Sequence, residues 1–263
     1  MSNIKYEILY PKIYLYKDLI PSPEILVQML KDSENNPGSS KVFMDWIPWH
    51  IFGTYLNQTP IPELILENVL ELEKDEKFKN EYKYAKIIWD AFHTATNHFL
   101  NEHNVKKGDD WITMGPSYSK YFHDDSLDSY ENVMVHHTDF VRIEADMPGN
   151  KFALTCTMYL NDDYEGGDID FIIKNDHISY KPKAGDVLVF PSGHPDILSN
   201  GEMYLHGVKK VEKIDKYLIR CFYQVPYSGS PEWLENQKKY GKEVWAEMEK
   251  KRIEEGRKYQ YDS

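Results

Sequence analysis

The stretch Val133-Met134-Val135-His136-His137-Thr138-Asp139-Phe140 decides how the chain is read. It opens on apolar, strand-forming residues, and an extended strand puts residues two apart on one face. On such a strand His137 and Asp139 present an imidazole and a carboxylate to the same side, while His136 faces the other. A later histidine, His206 in Leu205-His206-Gly207-Val208, offers a third donor. Two imidazoles and one carboxylate on one side of an ion leave its far side open. That facial arrangement suits non-haem Fe(II) and oxygen chemistry.

The triplet alone has little weight. The chain holds three His-x-Asp triplets, at His123, His137 and His194, and an acid-rich chain with this many histidines produces about one by chance. Context separates them. His123 stands among Asp124, Asp125, Ser126 and Asp128, a solvated loop. His194 follows Phe190-Pro191-Ser192-Gly193 and has Pro195 inside its triplet, which argues against a central strand. Only His137 ends an apolar run that resumes at Phe140-Val141.

Composition sets the frame. With 263 residues, 41% hydrophobic and 14% aromatic, the chain can bury a substantial core as one large domain. A formal net charge of −12 argues against a general nucleic-acid or anionic-membrane partner. Cys156 and Cys221 each lie in an apolar, strand-like segment and read as buried thiols, with nothing demanding an oxidising compartment. Charges interrupt the N-terminus too early for a signal peptide, and no run approaches the ~20 apolar residues of a membrane span. The expectation is a soluble, cytoplasmic protein of open oligomeric state.

Outward from the central stretch, residues from 111 to about 226 read as short strands separated by turns, the pattern of a sandwich or barrel. Strands are predicted near 112–122, 132–141, 151–160, 168–173, 177–180, 186–190, 204–208 and 216–224, with turns at Gly166-Gly167 and Ala184-Gly185-Asp186. Upstream, Ile4 to Tyr16 alternates as one or two strands. Ser22 and Pro23 open a helix through Leu30, and Glu34 to Ser40 is a loop. Helical spacing predicts further helices over 61–72 and 79–102. His93, His98 and His103 on or near the latter are surface or boundary histidines, since no carboxylate stands at metal spacing on their face. Trp46-Ile47-Pro48-Trp49-His50 reads as an edge segment, or as a groove wall. From Pro231 the chain is helical again. The organisation is one catalytic domain: residues 1–110 a helical brace continuous with the core, 111–226 the core, and 227–263 a helical extension.

A cation completes the chemistry. Lys216 stands ten residues after His206 at the head of Lys216-Tyr217-Leu218-Ile219-Arg220-Cys221-Phe222. A lysine or arginine on a neighbouring strand can hold the far carboxylate of a dicarboxylic acid whose near end chelates the metal. Lys216, Leu218 and Arg220 share a face of such a strand.

In this order the motifs resemble the Fe(II)- and 2-oxoglutarate-dependent dioxygenases, specifically the prolyl 4-hydroxylase-like branch. Phe152 to Asp168, with Tyr159-Leu160-Asn161 and Gly166-Gly167-Asp168, is similar to that branch's strand, Tyr-Leu-Asn and Gly-Gly-acid run. Lys181 to Ser192 is similar to its Pro-x-x-Gly-Asp and Phe-Pro-Ser stretch, and His206 to Val211 to the segment carrying its distal metal histidine. The likeness covers roughly 110–225, with a fainter echo in 13–29. It implies an α+β fold with a double-stranded β-helix, or jelly roll, as core, braced by N-terminal helices and followed by a C-terminal helix. It implies His137, Asp139 and His206 on Fe(II), Lys216 on the distal carboxylate of 2-oxoglutarate, Tyr159 as a hydroxyl donor to that carboxylate, and Tyr121 as a further wall. Many relatives carry arginine at the lysine position, so Arg220 stands as the alternative to Lys216, which the ten-residue offset favours. The implied reactants are Fe(II), 2-oxoglutarate and O2, with ascorbate as a candidate reductant, and the products include succinate and CO2.

The branch suggests a prolyl residue in a peptide or protein as substrate; a free amino acid or other small molecule is the alternative. Acidic residues within 123–132 and 142–150 form an expected rim that favours a cationic peptide. A reading of another class is a non-catalytic jelly-roll protein that binds a metal or metabolite.

Overall fold

Tyr217, Ile219, Cys221 and Tyr223 pack into one hydrophobic cluster, and Leu218 between them packs into another. A strand that is apolar on both faces must be covered on both, and the architecture follows from that. The structure is a computed structural model that describes residues 4–35, 47–50, 54–58, 79–107, 112–123, 132–139, 150–192, 204–226, 238–241, 243–244 and 247.

In chain order the elements are β1 (Tyr6–Tyr10), β2 (Ile13–Tyr16), α1 (Pro23–Asn35), β3 (Ile47–His50), β4 (Thr54–Gln58), α2 (Lys79–Glu102), β5 (Ile112–Tyr121), β6 (Asn132–His137) and β7 (Asn150–Tyr159). There follow β8 (Glu165–Gly166), β9 (Ile169–Ile173), β10 (Asp176–Tyr180), β11 (Val187–Pro191), β12 (Leu205–Lys209), β13 (Val211–Glu212) and β14 (Lys216–Pro226).

An eight-stranded sheet runs β1-β2-β11-β7-β14-β5-β4-β3, and a four-stranded sheet runs β10-β9-β12-β6. All strand pairings among the described residues are antiparallel. One face of the large sheet packs on the helices: Leu26 and Leu30 of α1 and Ile88, Trp89, Phe92 and Phe99 of α2 share a cluster with Tyr16, Leu154, Cys156, Met158, Val187 and Ile219. The other face meets the small sheet through Leu15, Tyr159, Leu188, Phe190 and Leu218 against Ile169, Phe171, Ile173 and Val208. Mostly antiparallel sheet with few helices agrees with a jelly-roll-like oxygenase fold.

The helix over 79–102 and the strands of the core stand close to their predicted positions. Two differences concern the N-terminal half. α1 extends through Glu34 and Asn35, which the sequence reading gave to a loop. Residues 54–58 form β4, an unpredicted strand that hydrogen-bonds to β5, with β3 as the edge beyond it. The helix predicted over 61–72, Trp46 and the His194 triplet lie outside the described residues. In the C-terminal extension, residues 238–240, 243, 244 and 247 are helical. No helix among the described residues is long and apolar enough to cross a membrane.

Trp89 and Phe92 are fully buried between α2 and the large sheet, where Phe92 packs on Tyr223 with ring centroids 4.9 Å apart. Phe92→Ala leaves a cavity that the surrounding sheet cannot close. It is expected to lower stability by about 3–5 kcal/mol, measured by urea unfolding. A loss below about 1 kcal/mol would show that this helix does not brace the sheet.

Candidate metal centre

β12 pairs with β6 so that His206 stands directly opposite His137. Their ring centroids are 4.5 Å apart. Asp139 does not lie on the strand: β6 ends at His137, and Asp139 occupies a bend beyond it. The strand-period argument for His137 and Asp139 is therefore corrected. The chain bends after the last paired residue, and that bend returns the carboxylate to the histidines. There Asp139 Oδ1 is 3.5 Å from His137 Nε2, and Oδ2 is 3.5 Å from His206 Nε2. One donor atom from each of the three residues lies within 4.8 Å of the other two.

Backbone carbonyls set both imidazoles. His137 Nδ1 donates to Val135 O at 2.9 Å, and His206 Nδ1 to Tyr204 O at 3.1 Å. A carbonyl only accepts, so Nδ1 carries a proton and Nε2 is the nitrogen that faces the carboxylate, donating to it when the ring is charged and offering a lone pair to an ion when it is neutral. His206 is also held by ring packing against Phe190 and Phe171, at 4.7 and 5.9 Å. Thr155 on β7 donates its hydroxyl to Asp139 Oδ2 and shares a further hydrogen bond with Ser192 Oγ. This donor set, with oriented ligands and a braced carboxylate, fits a divalent transition ion.

The electrostatics agree with that arrangement. Burial acts to raise the Asp139 carboxyl, but His206 and the hydrogen bonds from His137 and Thr155 outweigh it and hold it well below the usual carboxylate range. Burial lowers His206. At His137 burial also acts downward, yet its hydrogen bonds to Asp139 and Val135 bring the net shift up.

A narrow cavity lies beside His206 between the sheets. His206, Thr155 and Arg220 line it together with Lys216, Tyr159 and Tyr121, and Met134, Ile169, Val208 and Leu218 supply apolar wall. Lys216 heads β14 opposite Tyr121 and is fully buried. Its ammonium lies over the rings of Tyr159, Tyr164 and Tyr121, at 4.9, 5.4 and 5.8 Å, and donates to Gly167 O at 2.6 Å. The sequence reading put a turn at Gly166-Gly167, but Gly166 ends β8 in pairing with Val211, and the chain leaves the strand at Gly167, which presents that carbonyl. Both glycines have positive φ, and a Cβ on Gly166 would stand 2.3 Å from Lys210 O. Burial pushes the Lys216 ammonium down to about 7, partly opposed by Asp168. Arg220, on the same inner face, donates to Ser119 Oγ at 3.2 Å, and its charge acts on both His137 and His206. The Tyr121 hydroxyl donates to Met134 Sδ at 3.6 Å, and burial raises it to about 12. Burial raises the Tyr159 hydroxyl as well.

Residues 126–224 match the family described as the 2OG-Fe(II) oxygenase superfamily. That match bears out the superfamily resemblance read from the sequence. The match supports an oxidoreductase of the dioxygenase type and implies Fe(II) as metal with 2-oxoglutarate and O2 as co-substrates. Among solved structures it is similar to the viral collagen prolyl hydroxylase of Paramecium Bursaria Chlorella virus-1 in its 2OG complex, at 16% identity, covering 81% of this chain and 96% of that one, with a TM-score of 0.50. It is also similar to the dioxygenase for auxin oxidation 1 of Arabidopsis thaliana in its 2-oxoglutarate complex, at 13% identity, covering 83% and 85%, with a TM-score of 0.55. At these identities the likeness is one of fold. No curated protein matches the chain.

The remaining histidine expectations resolve as follows. His93 and His98 bond to the hydroxyls of Tyr223 and Tyr16, both at 3.1 Å, and His103 packs on Tyr14 and Phe99. All three sit at the boundary between α2 and the sheet. His123 pairs with Asp215 at 2.6 Å; the rest of its triplet lies outside the described residues. Thr155 and Ser192 were missed in the sequence. The available signal was the alternation of Thr155 and Thr157 with Leu154, Cys156 and Met158, which gives an otherwise buried strand one polar face.

Lys216 yields a test on the metal-free protein. Its folded-state value, about 7, lies below its ordinary value of 10.5. Between these the unfolded chain holds a proton that the folded chain lacks, so raising pH through that window favours folding. Lys216→Met removes the burden, and the variant is expected to be the more stable near neutral pH. Its advantage should shrink by about 2 kcal/mol between about pH 7 and about pH 9 in urea unfolding. An advantage independent of pH would contradict the assignment.

Proposed function

We propose that the chain is an Fe(II)- and 2-oxoglutarate-dependent hydroxylase of prolyl residues in a peptide or protein. Its working core is a double-stranded β-helix at 111–226, braced by residues 1–110 and extended by 227–263. The observation that carries this reading is one cavity lined by both the buried Lys216 and His206, the latter grouped with His137 and Asp139.

In this reading His137, Asp139 and His206 hold the iron, which when bound supplies the coupling of 2-oxoglutarate decarboxylation by O2 to hydroxylation of the substrate. Thr155, backed by Ser192, fixes the carboxylate ligand. Lys216 receives the distal carboxylate of 2-oxoglutarate, and Tyr159 adds a hydroxyl donor with Tyr121 beside it. A lysine half deprotonated near neutral pH regains its full charge when a carboxylate arrives, so binding is expected to take up protons. Arg220, whose charge acts on both ligand histidines, is assigned to the metal end of the cavity. The apolar side chains of Ile169, Val208 and Leu218 keep water scarce around both ends.

The prolyl assignment is supported by the run from Tyr159 to Asp168, by Lys181 to Ser192, and by the collagen-hydroxylase fold likeness. A small-molecule substrate is the second reading, favoured by the somewhat higher TM-score to the auxin dioxygenase. The expected acidic rim falls almost wholly outside the described residues, with only His123, Asn132 and Asn150 within them. Ascorbate remains a proposal as reductant.

Three measurements test the reading. Succinate formation from 2-oxoglutarate with Fe(II) and O2 should be detectable without substrate and abolished by His137→Ala; equal rates in both chains would remove the iron assignment. Lys216→Ala should raise the KM for 2-oxoglutarate about 10- to 100-fold, and an unchanged KM with a raised KM in Arg220→Ala would move the distal carboxylate to the arginine. Basic proline-containing peptides should accelerate succinate release over the uncoupled rate. Stimulation by free proline alone would favour the small-molecule reading.

A further inference from the structure

The neighbour of His137 on β6 faces the opposite side of the small sheet. There His136 meets Asp170 of β9 and His177 of β10, and one donor atom from each lies within 4.8 Å of the others. His177 Nε2 is 3.5 Å from Asp170 Oδ2. Tetrahedral zinc with bonds near 2 Å wants donors about 3.4 Å apart, so small side-chain adjustments suffice.

Three features make this more than a chance meeting. First, β12, which lies between His136 on β6 and Asp170 on β9, leaves room for it. Gly207 of β12 lies opposite Asp170, and a Cβ there would stand 3.3 Å from the His136 ring and 2.8 Å from Met134 O. The absent side chain lets the imidazole lie over β12 toward Asp170. Second, His136 Nε2 is shielded from solvent and has no hydrogen-bond partner, an expensive state for a ring nitrogen. Third, Asp170 is 3% exposed, and its Oδ1 accepts no hydrogen bond, although Lys209 Nζ stands 3.2 Å away as an ion-pair partner.

We propose that this outer face carries a second divalent-metal site, of the zinc class, ligated by His136, Asp170 and His177. Two imidazoles and a carboxylate suit a first-row transition ion. His177 is 60% exposed at its side chain, so the site opens to solvent and keeps coordination positions for water. Lys209 is the resident counter-cation: it reaches Asp170, Asp168 at 3.7 Å and Ser179 Oγ at 2.9 Å from a partly exposed side chain. An arriving ion displaces it from Asp170, and it retains Asp168 and Ser179. The ion would tie β6 to β9 and β10 across the sheet, directly behind His137.

The test is equilibrium dialysis of the metal-free full-length chain against zinc, with bound metal counted. Wild type is expected to hold one more equivalent than His177→Ala. In the His137→Ala/Asp139→Ala chain one equivalent should remain, and it should vanish when His177→Ala is added. Lys209→Met should tighten that equivalent several-fold by removing the competing charge. Circular dichroism and the milder His177→Gln variant guard against misfolding. Unchanged zinc content and affinity in both His177 variants would overturn the proposal, as would weaker binding in Lys209→Met. Failure of the iron assignment reads out separately, as zinc content unaffected by the His137→Ala/Asp139→Ala pair.

Discussion

The antiparallel pairing of β12 on β6 is the constraint on which the rest depends. It joins two histidines separated by 69 residues of chain and sets them face to face across one rung of the ladder. A slip of one residue would turn His206 to the outer face. The pairing is held by what lies on either side of it. β9 flanks β12, and Phe171 and Phe190 grip the His206 ring from the interior. The hydrophobic packing of two sheets thus fixes the position of a polar group, because an imidazole wedged between aromatic rings has few other places to go.

Burial does the electrostatic work at both ends of the cavity. At one end it gathers a carboxylate and two imidazoles whose Nδ1 protons are already committed to backbone carbonyls, so both Nε2 atoms converge on the carboxylate. At the other it takes Lys216 out of water, leaving it with a carbonyl and three tyrosine rings as its surroundings. A cation kept in that state is costly to the empty protein and well prepared for an anion. The same low-dielectric wall that lowers the lysine strengthens its attraction to a carboxylate.

Much of this was legible in the chain. Period-two alternation located most core strands to within a few residues, and it put His136 and His137 on opposite faces. The motif order from Tyr159 to Lys216 implied which polar side chains should meet. Asp139 stands beside the two histidines for a different local reason than the strand period. A strand period and a bend after a strand both bring residue i+2 near residue i, and a triplet cannot tell them apart. β4 was missed because Thr54-Tyr55-Leu56-Asn57-Gln58 has too few apolar residues to announce a strand; it is a strand because β5 offers it a partner edge. The cluster of His136, Asp170 and His177 depends on three separate strands and on a glycine between them, and no spacing rule in one dimension encodes that meeting. Thr155 was visible only as polarity inside an apolar run, a signal whose meaning requires knowing what faces it.

The central claim is that one ion is bound by His137, Asp139 and His206 together. Crystals grown without oxygen in Fe(II) and 2-oxoglutarate, measured at the iron absorption edge, test it most directly. The account predicts one anomalous peak at bonding distance from both Nε2 atoms and an Asp139 oxygen, with the distal carboxylate of the co-substrate against Lys216. An iron peak elsewhere, or one lacking any of those three ligands, would contradict it.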